Sequence, residues 1–329
     1  MPNQLFNHLV RAIRPCGLIA LMQFPLSPQV LAENEQAKPD TKVVYAESSD
    51  KVAQSLLLDI TRTGKQVIAV GERGHVITSQ NCGQSWQQIR MPTRTTLTSV
   101  FFLDENNGWI VGHDSTIFKS SDGGGSWKQV YQDIEAELPL FDVHFIDDKK
   151  GFAVGAYGAY LETVDGGDSW KPRPIYGEED FHLYSLMHMQ TGELIVVGEN
   201  GTVYLSVDEG RKWERIKSPY EGTYFGGSLL SKTEWVVYGM RGNLFMTDDL
   251  GENWTRLETG TQVALNDALM LKDGTILLTG DAGVVLKSID KAKTFASVDN
   301  GNRNHQVAMV QCDDGQVLSV GVRGIGKVR

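Results

Sequence analysis

The segments SSDGGGSW (Ser120–Trp127) and TVDGGDSW (Thr163–Trp170) decide the fold. Their shared pattern, [S/T]-x-D-x-G-x-x-W, is typical of a tight turn between two strands. The aspartate carboxylate can accept hydrogen bonds from the turn's own backbone N–H groups, and the glycine adopts a positive φ at little cost. The tryptophan then begins the next strand, where its ring can fill the gap between neighbouring sheets.

Six copies of this motif follow one another in register. The others read SQNCGQSW, SVDEGRKW, TDDLGENW and SIDKAKTF and begin at residues 79, 206, 247 and 288; the last has lost its glycine and its tryptophan. The motif resembles the Asp-box of the bacterial neuraminidase repeat. We expect structural rather than catalytic roles for its acids and rings, which are Asp122, Asp165, Asp208, Asp249, Asp290, Trp86, Trp127, Trp170, Trp213 and Trp254.

A second marker is a glycine that ends a short apolar run. It recurs seven times at steps of 41 or 43 residues, at Gly71, Gly112, Gly155, Gly198, Gly239, Gly280 and Gly321. In six of the seven cases another glycine follows three residues later, which predicts a hairpin with a two-residue tip and positive φ at the glycines.

Between the markers each unit reads as four short strands; in the second unit they cover 97–103, 108–112, 116–120 and 126–131. Four strands per 40–50 residues is typical of a propeller blade. We therefore predict an all-β fold, a single seven-bladed β-propeller of four-stranded antiparallel blades over residues 42–329. The last unit stops before its fourth strand, so we expect the N-terminal strand Lys42–Glu47 (KVVYAE) to complete the last blade and close the ring.

The first 32 residues read as a secretory signal peptide. They contain Arg11 and Arg14 but no acid, then an apolar run from Cys16 to Leu31, with a small residue, Ala32, before the cleavage point. Residues 33–41 are polar and predict a flexible leader. Cys16 lacks a lipoprotein acylation box, and no later stretch has 18 consecutive apolar residues. These features predict an exported product without membrane insertion, in the periplasm.

Composition argues against nucleic acid as a partner. The chain has 31 Lys and Arg against 41 Asp and Glu, a net charge of −10, whereas nucleic-acid binders present a basic face. Beyond the signal peptide the only cysteines are Cys82 and Cys312. In an oxidising compartment they either form a disulfide or stay separate thiols; the propeller would place them on adjacent blades.

The sequence lacks recognisable catalytic motifs. Serine and cysteine have no nucleophile elbow around them, no phosphate loop is present, and the histidines lack zinc-ligand spacing. We predict no catalytic residue, no metal and no cofactor. The pair Glu178/Glu179 could supply the two carboxylates of a glycosidase or be a solvated charge run. Because Asp-boxes occur in sialidases, a carbohydrate-binding or glycoside-hydrolysing protein is the alternative to a protein-binding one.

The hairpin tips carry arginine at the same position in three units, and two more arginines fall in connections between units on that side. Arginine donors suit carboxylates and interface hot spots, and aromatic rings beside them favour protein binding. The alternatives are that the arginines are solvated turn residues and that some rings plug the channel or pack between blades. The candidate partner-binding residues are Arg73, Arg241, Arg323, Arg94, Arg303, Tyr157 and Tyr224.

The export signal, the seven units, GWIVG (Gly108–Gly112) and TVDGGDSW together resemble the photosystem II stability/assembly-factor-like family over Lys42–Arg329. The resemblance implies a lumenal assembly factor whose arginine patch would comprise Arg73, Arg241 and Arg323. Similar sequences also occur as envelope proteins of non-photosynthetic bacteria, so the client stays open. We expect an exported, non-enzymatic monomer that binds the periplasmic or lumenal part of a membrane protein complex, a photosystem or an envelope exporter, as assembly factor, scaffold or transporter accessory.

Overall fold

A computed structural model describes residues 43–177 and 179–328. The predicted signal peptide and leader lie outside the described residues, as do Lys42, Glu178 and Arg329. None of the helices in the described part of the chain has the length and apolar character that a membrane span requires.

The described residues form seven antiparallel sheets in chain order. Blade 1 comprises β1 (Leu57–Thr63), β2 (Gln66–Gly71), β3 (Val76–Ser79) and β4 (Gln87–Ile89). Blade 2 comprises β5 (Leu97–Phe102), β6 (Gly108–Gly112), β7 (Ile117–Ser120) and β8 (Lys128–Tyr131). Blade 3 comprises β9 (Leu140–Phe145), β10 (Gly151–Gly155), β11 (Tyr160–Thr163) and β12 (Lys171–Pro172).

The remaining blades repeat this order. Blade 4 comprises β13 (Leu183–His188), β14 (Leu194–Gly198), β15 (Val203–Ser206) and β16 (Glu214–Arg215). Blade 5 comprises β17 (Tyr224–Leu229), β18 (Trp235–Gly239), β19 (Leu244–Thr247) and β20 (Thr255–Arg256). Blade 6 comprises β21 (Leu265–Met270), β22 (Ile276–Gly280), β23 (Val285–Ser288) and β24 (Ala296–Ser297), and blade 7 comprises β25 (Gln306–Gln311), β26 (Val317–Gly321) and β27 (Gly324–Val328).

The sheets close into a ring, which confirms the predicted seven-bladed propeller. The first strand of each blade contacts the first strand of the next, and β25 contacts β1. The second strands of blades 2 to 7 are buried along their whole length, and β2 is buried except at Gln66, because neighbouring blades cover both of their faces. The predicted strand bounds in the second unit agree with the structure to within two residues.

The Asp-box turns are held by their own side chains. In the second box Ser120 Oγ donates to Asp122 Oδ1 (2.8 Å) and accepts from Gly124 N (2.9 Å), while Ser126 N donates to Asp122 Oδ1 (2.9 Å). The first box keeps this pattern although Asn81 stands in the place of the aspartate. These bonds also lower the pKa of the box acids, and that of Asp165 falls to about 2.

The hairpins between second and third strands differ from the prediction. The tips of blades 1, 3, 5 and 6 are short 3-10 turns. Blade 7 has the predicted two-residue tip, Val322-Arg323 between the paired Gly321 and Gly324, but without the positive φ of a primed turn. The first glycine is extended (φ −176° at Gly71); it is needed because a Cβ there would overlap the Leu56 carbonyl. Only the second glycine has the predicted positive φ (71° at Gly74), and it packs against Thr93 in the connection to the next blade.

The predicted closing strand is wrong for the described part of Lys42–Glu47. Blade 7 has three strands among the described residues, and Ala46 N donates instead to Met91 O (3.0 Å) in the connection after blade 1. Val43–Glu47 lies there because Ala46 is buried with core residues of blades 1 and 2. The alternating pattern of KVVYAE predicted a strand, whereas Val43–Glu47 belongs to none of the sheets among the described residues.

The ring closes by other contacts. A short 3-10 turn, Val52–Gln54, packs against Gly324 of the blade 7 hairpin, as the connections between blades do elsewhere. Apolar residues of blades 1 and 7 form one core cluster across the seam. Cys82 and Cys312 form a disulfide with 5.9 Å between their Cα atoms, and Asp313 bridges Arg62 of blade 1 to Lys272 of blade 6.

Three buried carboxylates tie inner strands together at the channel. The innermost strand of each blade has a free edge, whose N–H groups need acceptors. Asp59 accepts from Val100 N of the next blade (2.8 Å), and Asp267 accepts from Met309 N (2.7 Å). Asp142 accepts in the same way from Leu186 N (2.8 Å). These aspartates therefore connect blade 1 to 2, blade 3 to 4 and blade 6 to 7.

Burial favours the protonated form of the channel aspartates. It raises the pKa of Asp142 and of Asp267 to about 7, against opposing backbone hydrogen bonds, and raises the pKa of Asp59 as well. The geometry agrees, because Ser99 Oγ lies 3.0 Å from Asp59 Oδ2 and 3.1 Å from Asp142 Oδ1. One hydroxyl proton serves only one of these contacts, so the other requires a protonated carboxyl group.

Loss of the disulfide should destabilise the ring. The two cysteines are 230 residues apart in sequence. For a loop of this length the chain-entropy model gives a stabilisation of about 5 kcal/mol as an upper value. We expect Cys82→Ser/Cys312→Ser to lower the denaturant midpoint, measured by tryptophan fluorescence. Dithiothreitol should lower the wild-type midpoint to the same value and leave the variant unchanged; equal midpoints for wild type and variant would contradict the role of the disulfide.

Stability should depend on pH through the channel acids. Their folded pKa values are raised, so their contribution is present below about pH 4 and is lost as pH rises toward about 7. The box acids have lowered pKa values and lose their contribution below about pH 4. We therefore expect the free energy of unfolding to be greatest near about pH 4 and to decline as pH rises toward about 7. Asp142→Asn should flatten the decline between about pH 4 and 7, whereas the exposed control Asp248→Asn should keep it.

Candidate functional site

Antiparallel strands sort the loops onto two faces of the ring. The Asp-box turns follow the third strands and lie on one face, which we call the Asp-box face. The tips between second and third strands lie on the opposite face together with the connections between blades, and we call this the hairpin face. Loops on a rigid scaffold are where binding residues concentrate, and the candidate arginines all fall on the hairpin face.

Four of the five candidate arginines lie on neighbouring parts of the ring. Arg73 is at the tip of blade 1, Arg323 is at the tip of blade 7, and Arg94 and Arg303 are in the connections that flank these blades. The fifth, Arg241, lies apart from them at the tip of blade 5. All five side chains are exposed. The structure therefore brings together an arc of four arginines rather than a single patch of five.

The arginines differ in their partners. Arg94 Nη2 lies 2.9 Å from Glu47 Oε1, and Arg73 Nε lies 3.9 Å from Glu72 Oε2. Among the described residues, Arg241, Arg303 and Arg323 take no part in a salt bridge with a carboxylate. Their guanidinium groups are thus available to a carboxylate of a partner, in a protein whose overall charge is negative.

Tyr157 and Arg73 hold a backbone conformation that side chains rarely adopt. Their φ angles are 52° and 55°, a left-handed conformation that costs of order 1 kcal/mol for a residue with a side chain. At Tyr157 a specific bond opposes this cost, because its N–H donates to His182 Nδ1 (3.0 Å). The Tyr157 side chain is thereby held outward and is 62% exposed.

An arc of aromatic rings runs from Tyr157 to the inner strands of blades 3 to 5. Tyr157 meets His182 edge-on at 4.6 Å between ring centroids. Further in, Tyr184 stacks on Phe141 at 5.3 Å and meets Phe225 at 5.5 Å. Burial and the Glu199 carboxylate raise the pKa of Tyr184, so its hydroxyl stays a hydrogen-bond donor. These rings give the hairpin face an apolar surface on the side away from the arginine arc.

The sequence shows that these rings lie in or near aromatic connections between units, but their equivalent position in the innermost strands was not predicted. Phe141, Tyr184 and Phe225 are the second residues of their innermost strands, where the pairing register shifts by one residue. Such a β-bulge redirects the side chain. In the sequence these rings stand directly after the first apolar residue of their units. An alignment of the repeats would have shown that Phe141, Tyr184 and Phe225 share this position.

Tyr224 is wrong as a surface candidate. Its side chain is fully buried, and its hydroxyl lies 2.7 Å from Ser218 Oγ. Tyr224 begins β17 at the position that Leu57 and Leu183 occupy in other blades, a core position. The neighbouring Phe225 is the ring at the bulge.

Glu179 and the two cysteines are also accounted for by structural contacts. Glu179 accepts from Tyr204 Oη (2.6 Å) and pairs with Arg215, so it is not part of a solvated charge run. Among the described residues, one group of side chains is close enough together to hold a metal ion: Cys82, Cys312 and Asp314. The two sulfurs are joined in the disulfide, and a metal ligand would have to be a thiolate.

Comparison with known proteins gives consistent matches. The family model "Photosynthesis system II assembly factor YCF48" matches residues 78–139 and 127–222. A photosystem II assembly lipoprotein Ycf48 of Synechocystis is 40% identical over 57 residues, 17% of this chain and 17% of that protein. The chloroplastic photosystem II stability/assembly factor HCF136 of Cyanidioschyzon merolae is 28% identical over 105 residues, 30% of this chain and 24% of that protein. These relatives are named as assembly factors, not as enzymes.

Solved structures match over most of the ring. A YCF48 bound to a D1 peptide has a TM-score of 0.69 at 19% identity, covering 83% of this chain and 91% of that one. YCF48 from Cyanidioschyzon merolae has a TM-score of 0.69 at 17% identity, covering 84% and 96%. The WD40 propeller of Doa1 scores 0.67 at 11% identity, so these structural matches speak for the fold alone. The family model spans residues 78–222, less than half of the chain, and the chain covers about a fifth of the length of these curated relatives. Together with the repeats, the matches support a photosystem II assembly factor-like propeller.

Proposed function

We propose that the protein is an exported, non-enzymatic assembly factor that binds a periplasmic or lumenal segment of a photosystem II protein through its hairpin face. The observation that carries the proposal is the pairing of an exposed arginine arc with an aromatic arc on one face. Arginine and aromatic side chains are the residue types that dominate protein-binding hot spots. On the opposite face the Asp-box turns bond their own backbone N–H groups.

Two further observations support the proposal. The seam disulfide between Cys82 and Cys312 suits an oxidising compartment outside the cytoplasm, in agreement with the predicted signal peptide. A structurally similar YCF48 has been solved with a D1 peptide bound, so an extended segment of a photosystem II protein is a ligand that suits this kind of ring. We propose the same class of ligand here.

Charge reversal on the hairpin face should abolish binding. We expect Arg73→Glu/Arg241→Glu/Arg323→Glu to weaken binding to synthetic peptides covering D1 by more than about tenfold, since like charges then face the acidic groups of the ligand. Thermal unfolding should not change, because the three side chains are exposed and form no buried contact. The matched control is Arg211→Glu/Lys291→Glu/Lys293→Glu, which makes the same charge change on the Asp-box face. Equal loss in both variants would show that net charge, not the face, controls binding.

Tyr157→Ala tests the aromatic arc separately. Truncation of an exposed hot-spot tyrosine costs about 1 kcal/mol or more, so we expect at least about fivefold weaker binding of the same peptides. The control Tyr176→Ala removes another partly exposed ring (40%) that packs on Tyr204 rather than on the arc. A glycan array on the wild-type protein addresses the carbohydrate alternative: sugar binding without peptide binding would replace the proposed function.

A further inference from the structure

Residues 43–49, which we call the N-terminal segment, lie in a shallow groove at the rim of the hairpin face. The groove is formed by Gln88, Arg90, Met91 and Arg94, at the end of β4 and in the connection that follows it. Ala46 N donates to Met91 O (3.0 Å), Gln88 Nε2 donates to Glu47 O (2.8 Å), and Ser49 N donates to Gln88 Oε1 (3.0 Å). The N-terminal segment is therefore bound in an extended form, by its backbone.

Side chains of the N-terminal segment meet two arginines of the groove. The Arg90 guanidinium lies over the Tyr45 ring, 3.9 Å from its centroid. Arg94 donates through Nε to Tyr45 O (2.9 Å), and its Nη2 lies 2.9 Å from Glu47 Oε1. Ala46, between these two residues, is 9% exposed and contacts the core. The groove thus recognises an aromatic residue, a small residue and an acidic residue in sequence.

The N-terminal segment is held largely by contacts at the surface. In the described residues one backbone–backbone hydrogen bond, from Ala46 to Met91, joins it to the groove. Val43 and Val44 are 53% and 52% exposed, and the Glu47 side chain is 71% exposed. Exposed ion pairs contribute little stability, and segments with few buried contacts open locally at low free-energy cost. The N-terminal segment can therefore leave the groove without unfolding a blade.

The groove is continuous with the proposed binding face. Gly74, at the tip that carries Arg73, packs against Thr93, which lies between Met91 and Arg94 of the groove. A peptide bound along the arginine arc could therefore extend from Arg73 directly into the groove. This inference rests on the proposed function for the identity of the client, but the groove itself is defined by contacts within the chain.

We propose that this groove is a peptide-binding site for an extended client segment with an aromatic residue two positions before an acidic one, and that the N-terminal segment occupies it until the client displaces it. The N-terminal segment supplies the pattern as Tyr45-Ala46-Glu47. Its tether gives it an effective concentration of the order of millimolar, so a client succeeds only if it also makes contacts on the arginine arc. This requirement adds selectivity to a surface that would otherwise accept many acidic peptides.

A peptide titration tests the groove without any client. The probe is a fluorescein-labelled peptide with the sequence of residues 42–49, and binding to the full-length exported protein is followed by fluorescence anisotropy. Tyr45→Ala/Glu47→Ala should release the N-terminal segment from the groove. The probe then meets no intramolecular competitor, so this variant should bind it at least about fivefold more tightly than the wild type. Adding Arg94→Gln to that variant should remove the gain, whereas the matched control Arg256→Gln, an exposed arginine on blade 5, should preserve it. Equal binding to wild type and double variant, absent binding, or no effect of Arg94→Gln would each overturn the proposal.

Hydrogen exchange tests displacement by the client. The Ala46 amide should be protected in the free protein and should exchange at least about tenfold faster when a bound photosystem II peptide displaces the N-terminal segment. A bound peptide that leaves Ala46 protected would overturn displacement while leaving the proposed function standing. Failure of every photosystem II peptide to bind would reject the proposed function, and the titration with the 42–49 probe would still decide whether the groove exists.

Discussion

The contact between the first and the last blade is the interaction on which the rest of the structure depends. Six junctions in the ring join blades that are consecutive in the chain, and their connections hold them close. The seventh joins blades that are separated by the whole chain. It is maintained by a shared apolar core, the disulfide and the ion pairs of Asp313. Without it, the arginine arc, which spans blades 7 and 1, would be divided.

The two faces of the ring have different physical characters. On the Asp-box face, side-chain oxygens satisfy the backbone of each turn, and exposed apolar side chains such as Val164 and Val207 stand singly among them. On the hairpin face, Tyr157 and Arg73 hold left-handed backbone angles that favour smaller residues, with their side chains directed to solvent. Equivalent angles occur on the Asp-box face, at Glu209 and Leu250, so this backbone geometry belongs to the repeat. The buried aspartates of the channel hold the inner strands that position both arcs.

Much of the fold follows from the sequence because each blade repeats the same local physics. The Asp-box and the paired glycines predict where turns occur, and the alternation of apolar residues predicts where strands lie. The closing strand could not be predicted in this way, because KVVYAE has the pattern of a strand and nothing in it selects blade 7 over the rim of blade 1. The first glycine of each pair was expected to be needed for a positive φ. It is instead extended, and it is needed because the backbone at the start of the preceding strand lies too close to leave room for a side chain.

The candidate site was predictable only in part, for a related reason. Exposed tip residues such as Arg73 and Tyr157 are set by the repeat, so their face follows from topology. The burial of Tyr224 and the outward turn of Phe225 depend on a one-residue bulge that does not alter the composition of the strand. The channel aspartates were missed because their role depends on N–H groups of the next blade, about 41–44 residues away.

Site-specific photocrosslinking tests the central claim, that the hairpin face is the surface that binds the client, most directly. A photoreactive amino acid placed at Tyr157 or Arg323 reports on the hairpin face, and one at Val164 or Val207, which are exposed in Asp-box turns, reports on the opposite face. With photosystem II assembly intermediates as the partner, we predict crosslinked client from the first two positions and none above background from the other two. Crosslinks confined to Val164 and Val207 would contradict the account.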